Sequence, residues 1–162
     1  MRLNLILIIF FIFITKLSFG QSRYCDFEEV YSNGDIQQGF MLLKDQKLRY
    51  EYNNKNLYTI IYSNGNLFVS ENIDKNKSQL IDNKNSIIPF LIEIYNDFPN
   101  IKNMYFYNNH RLIVEKDNQS FFKRIAINSN ILNVSIFFID CKLIDIDDNM
   151  FKIKPIPDYV HN

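Results

Sequence analysis

Beyond residue 22 the chain alternates short runs of aromatic and β-branched residues with turns of Asn, Asp and Gly, and this punctuation leaves room for little except antiparallel β-structure. The runs cover 24–31, 37–44, 48–52, 57–62, 67–71, 104–107, 111–116, 120–127, 131–139, 142–146 and 150–153. Between them, Asn33-Gly34, residues 53–56, Asn64-Gly65, Asn108-Asn109, Asp117-Asn118, and residues 128–130 and 147–149 supply side chains that tolerate positive φ. Tight hairpins require such residues. The expected fold is mainly β, an antiparallel meander of about 10–11 strands.

Several runs are apolar on both faces. In 57–62, Leu57, Thr59 and Ile61 oppose Tyr58, Ile60 and Tyr62; in 131–139, Leu132, Val134, Ile136 and Phe138 oppose Ile131, Phe137 and Ile139. A sheet with one solvated face alternates more cleanly. Two apolar faces call for a sandwich, a helix-covered sheet, or a curled sheet around an apolar hollow. Only residues 86–98 show helical spacing, with Ile88, Leu91, Ile92 and Tyr95 on one side, Ser86 placed as a cap and Pro89 in the first turn. One helix does not cover two faces. The pattern therefore favours an unclosed antiparallel β-barrel, a half-barrel with the short helix as its lid or plug.

Residues 1–20 have the grammar of a signal peptide: a positive charge at Arg2, an apolar run over 5–14, and small residues at Ser18 and Gly20 before a cut at Gln21. The run is about half the roughly 20 residues that cross a bilayer core. Lys16 closes it, and an uncleaved anchor is the rival reading. No cysteine sits at the cut, so release as a free protein outside the cytoplasm is expected, with residues 21–162 forming one domain. Cleavage removes Arg2 and Lys16 and leaves 16 basic against 18 acidic residues, a net charge of −2. That balance indicates no nucleic-acid partner and no anionic membrane surface.

The two cysteines, Cys25 and Cys141, belong to a chain predicted to leave the reducing cytoplasm. A disulfide between them requires the first and a late strand to be neighbours; the alternative is two small buried apolar residues. Chemistry is otherwise sparse. His110 and His161 lack metal-ligand spacing, no phosphate loop or nucleophile elbow occurs, and the acidic group Asp145, Asp147, Asp148 and Asn149 lacks the glycine and distal Glu of a calcium loop. It reads as a hairpin turn. No catalytic residue, metal or cofactor is expected. An aromatic content of 15 % without a catalytic grouping points instead to the binding of something apolar.

The order of the segments resembles the LolA-type outer-membrane lipoprotein carriers. The resemblance lies in Gly39-Phe40, Lys44, the aromatic strand Leu48-Arg49-Tyr50-Glu51-Tyr52, and the turn Ser63-Asn64-Gly65-Asn66-Leu67-Phe68. Pro89-Phe90-Leu91 is similar to that family's Pro-containing helix, and Phe151-Lys152-Ile153-Lys154-Pro155 to its closing strand. The resemblance implies a periplasmic carrier that shields lipoprotein acyl chains, receives them from an inner-membrane ABC exporter, and passes them to an outer-membrane acceptor. It acts as a monomer in this reading. Lys44 takes the place of a lid-holding basic residue. Acyl-chain binding is expected at Leu48, Tyr50, Tyr52 and Ile61, and at Phe68, Phe90, Leu91 and Ile94. The alternative is a non-catalytic envelope interaction module of the same fold with a filled interior.

Overall fold

The computed structural model of the chain describes residues 22–84, 86–98, 100–117 and 121–153, so the expected export signal lies outside the described residues. Among the described residues ten strands form one antiparallel sheet: β1 Arg23–Tyr31, β2 Ile36–Lys44, β3 Lys47–Tyr52, β4 Tyr58–Ser63, β5 Asn66–Glu71, β6 Ser78–Ile81, β7 Met104–Tyr107, β8 His110–Lys116, β9 Phe122–Asn128 and β10 Asn133–Leu143. The order across the sheet is β6-β5-β4-β3-β2-β1-β10-β9-β8-β7. Two meanders thus meet where the first strand pairs with the last. The sheet is open and half-barrel-like. Its two edges, β6 and β7, are consecutive in sequence, and the one α-helix among the described residues, α1 (Ile88–Asn96), lies in the connection between them.

The turns follow the predicted chemistry. Asn64 and Gly65, at φ 52° and 77°, make a two-residue loop between paired Ser63 and Asn66, the left-handed pair a type I′ hairpin needs. Asn108, at φ 50°, opens a second two-residue loop between paired Tyr107 and His110. Asp45, at φ 51° between paired Lys44 and Lys47, is a further tight turn.

Three expectations differ from the structure. β6 has no counterpart among the predicted runs, because Ser78–Ile81 is short, partly polar and largely exposed on an edge. Residues 142–146 and 150–153 are not separate strands. β10 runs on to Leu143 across an irregularity where Asp140 adopts φ 48°, and Asp148–Phe151 forms a single 3-10 turn. The acidic group is the cap of that turn, with Asp147 Oδ1 accepting from the Asn149 N–H at 2.8 Å. Helix α1 is capped by Ile87 rather than Ser86, whose hydroxyl accepts from the Ile88 N–H at 3.2 Å.

Inner and outer faces are built differently. The inner face carries the main core, including Cys25, Phe27, Met41, Leu43, Leu48, Tyr50, Leu112, Val114, Ile125, Ile127, Val134 and Ile136, closed over by Ile92 and Ile94 of α1. On the outer face, a small second cluster of Leu42, Ile146 and Phe151 docks the C-terminal segment. Polar side chains pin that segment. Lys44 Nζ donates to the Ile146 carbonyl at 2.7 Å, Arg49 donates to the Met150 carbonyl at 3.0 Å, and Lys44 and Lys47 both pair with Asp148 at 3.0 Å. Arg49 also grips Glu51, which Lys75 contacts at 3.2 Å.

These contacts set an acid limit. Burial pushes the Glu51 carboxyl up, but Arg49 and Lys75 outweigh it and hold the group below its ordinary 4.5; Lys44 and Lys47 hold Asp148 below 3.8. A carboxyl depressed in the folded state contributes stability that is complete above its unfolded pKa and is lost as pH falls through the folded one. Melting temperature should therefore fall as pH drops below about 4.5. Thermal melts of Glu51→Gln/Asp148→Asn should show a shallower fall; an unchanged acid slope would refute these two groups as its cause.

Candidate functional site

Strand alternation and register decide which side chains share the inner face. On β1 the inward set is Cys25, Phe27, Glu29 and Tyr31; pairing places Met41 opposite Cys25, and Ile136 opposite Glu29. Tyr50 lies opposite Met41 on one side and Ile60 on the other. Of these, Glu29, Tyr31, Met41, Tyr50, Ile60 and Ile136 line a cavity of about 240 Å³, walled by β1–β4, β9 and β10 and covered by Ile88, Leu91 and Ile92 of α1. The wall is almost entirely apolar.

One charged group interrupts it. Glu29 is 5 % exposed and forms no ion pair with Lys, Arg or His among the described residues. Three phenols donate to its carboxylate: Tyr50 to Oε1 at 2.7 Å, and Tyr31 and Tyr52 to Oε2 at 2.6 and 3.0 Å. Hydrogen bonds to an ionised acceptor are about twice as strong as neutral ones, which is how an apolar interior retains a carboxylate. The phenols respond in turn. Burial, reinforced by the Glu29 charge, pushes Tyr31 up to about 12 and moves Tyr50 and Tyr52 well above their ordinary value, so all three stay protonated donors.

The cluster is braced by aromatic packing. Phe27 stacks on Tyr50 with centroids 3.9 Å apart, and Tyr52 meets both rings edge-on at 5.5 Å. Beside the cavity, Tyr95 and Phe98 pack with Phe121 and Phe122, and both of those contact Phe138. The Arg23 guanidinium lies over Phe121, 4.0 Å from its centroid. That part of the interior is filled by side chains.

Of the residues expected to bind acyl chains, Leu48, Tyr50, Tyr52 and Leu91 line the cavity. The other four lie elsewhere. Ile61 pairs with Arg49, and Phe68 pairs with Ile61, so register puts both on the outer face and brings Ile60 inward instead. Phe90 stacks on Tyr107 at 4.7 Å and meets Tyr105 edge-on, docking α1 on the edge strand β7. Ile94, 1 % exposed, is packed into the core without lining the cavity. Lys44 points outward to Ile146 and Asp148, so it holds the C-terminal segment rather than the helix.

Glu29 was not among the expected site residues, yet its position carried a signal. It is the one carboxylate at core parity in the series Cys25, Phe27, Glu29, Tyr31. The structure also joins Cys25 to Cys141 by a disulfide, at the irregularity between β1 and β10. Among the described residues no group of three or more His, Cys, Asp or Glu is placed to hold a metal ion, and no helix is long and apolar enough to cross a membrane. No protein-family model matches the chain, and no curated protein matches it either.

Proposed function

We propose that the protein is a non-catalytic carrier of the periplasm that holds an acyl chain of a lipid-modified cargo in the cavity between the sheet and α1. The observation that carries this reading is the cavity itself, apolar on nearly every side and walled by six strands and a helix. A buried methylene is worth about 0.8 kcal/mol, so a chain held there is strongly favoured over one in water. The disulfide fits an oxidising compartment outside the cytoplasm. At about 240 Å³ the cavity lies just under the roughly 300–1,000 Å³ of drug-sized ligand sites, which suits one chain and not several.

Helix α1 serves as the lid in this reading, since it joins the sheet's two free edges and closes the cavity with Ile88, Leu91 and Ile92. Transfer from an inner-membrane ABC exporter to an outer-membrane acceptor follows from the resemblance of segments 39–71 and 89–91 to the LolA-type carriers. A second reading, an envelope interaction module, draws on the aromatic cluster that fills the interior around Phe121 and Phe122.

Delipidated protein should take up a fluorescent alkyl probe with an uncharged head group at one site per chain, and Leu91→Trp, which fills the cavity, should weaken uptake at least about tenfold. Absence of uptake by the folded wild-type chain would sink the carrier and leave the interaction module.

A further inference from the structure

Glu29 is an anion without a cation. Its carboxylate offers about four acceptor positions, and the three tyrosine hydroxyls occupy one on Oε1 and two on Oε2. One acceptor position on Oε1 is left, and Glu29 lines the cavity. The phenols stabilise the carboxylate but leave its charge uncompensated. A fatty acid brings a second anion to that wall, and an alkyl alcohol brings no charge. A ligand with a positive end supplies the missing partner, and the apolar wall accommodates the rest of it.

We infer that Glu29, Tyr31, Tyr50 and Tyr52 form the head-group end of the cavity, built for an alkyl or acyl chain that carries an ammonium group. This inference deepens the carrier reading and rests on it. The ammonium donates to Oε1 of Glu29, while the chain lies along Met41, Leu48 and Leu91 and the β9–β10 wall. The three phenols fix the carboxylate in place before the ligand arrives, so little ordering accompanies binding. Two sources share this chemistry: a free amine lipid, and the α-amino group of a lipid-modified peptide.

The test is a binding series on the delipidated full chain with decylamine, decanol and decanoic acid, each below its aggregation threshold. A hydrogen bond to a charged group is worth about 1.5–3 kcal/mol, so decylamine should bind at least about tenfold tighter than decanol, with decanoic acid the weakest. Glu29→Gln should bring decylamine to within about threefold of decanol. Decyltrimethylammonium carries the charge but no N–H donor, so the wild-type chain should bind it at least about tenfold more weakly than decylamine, which keeps the test open if Glu29→Gln folds poorly. Equal binding of decylamine and decanol by the wild-type chain, or a preference that survives Glu29→Gln, overturns the inference while the carrier reading stands on chain uptake. No uptake of any probe overturns both. A diacylated cysteine peptide compared with its N-acetylated form separates the sources. Loss of binding on acetylation assigns the peptide α-amino group; equal binding alongside a decylamine preference assigns an amine lipid.

Discussion

Replacing Cys25 and Cys141 together by alanine should destabilise the folded chain by about 4–5 kcal/mol, a fall of roughly 10–20 °C in Tm. The bridge spans 116 residues and ties β1, in the middle of the sheet, to β10, its partner at the junction of the two meanders. Closing so long a loop restricts the unfolded chain far more than it restricts the folded one, whose two strands already pair. Cys25 is fully buried, so the alanine variant also leaves a small void, a lesser cost than the lost cross-link. Thermal melts of the double variant, and of the wild-type chain under reducing agent, should agree. A shift below about 3 °C in both would show that β1–β10 pairing holds without the bridge.

Gly39→Ala should be the most damaging single substitution of a glycine in the folded domain, at about 3 kcal/mol or more. A Cβ at Gly39 would lie 2.0 Å from the Glu51 carbonyl oxygen and 2.5 Å from Phe27 Cζ. Neither neighbour yields easily. The carbonyl belongs to β3, which pairs with β2, and the Phe27 ring is held against Tyr50 and Tyr52. Displacing the ring also disturbs the tyrosines that hold Glu29, so cavity binding should fall with stability. Gly34→Ala is the control. Gly34 has open space around it and a φ of +88°, so its substitution should cost about 1 kcal/mol of backbone strain alone. Equal Tm losses for the two variants would refute close packing over Gly39.

Much of the architecture could be read before any coordinates. Period-two alternation identified nine of the ten strands as runs, because each buries an inward set against the core. The missed strand, β6, buries almost nothing and forms on an edge, where pairing to β5 rather than side-chain pattern stabilises it. The C-terminal runs misled for the opposite reason. Ile146 and Phe151 are apolar and buried, but they dock as single residues on the outer face rather than joining the sheet.

The site was half legible. Alternation within one strand put Leu48, Tyr50 and Tyr52 on a common face. Which face of the next strand joins them depends on register, and a shift of one residue exchanges Ile60 for Ile61. Helical spacing similarly placed Leu91 over the hollow, but it could not show that Phe90 would grip β7.

By itself the sequence determined that this chain forms hairpin after hairpin, with one helix, since positive-φ turns and period-two runs act within a few residues of one another. Only the tertiary structure decided that the first strand pairs with the last, that Cys25 meets Cys141, and that three tyrosines from β1 and β3 converge on Glu29. Tyr31 apart, which lies two residues from Glu29, those contacts join residues far apart in the chain, and their geometry is set by register and curvature across the whole sheet, which no local propensity encodes.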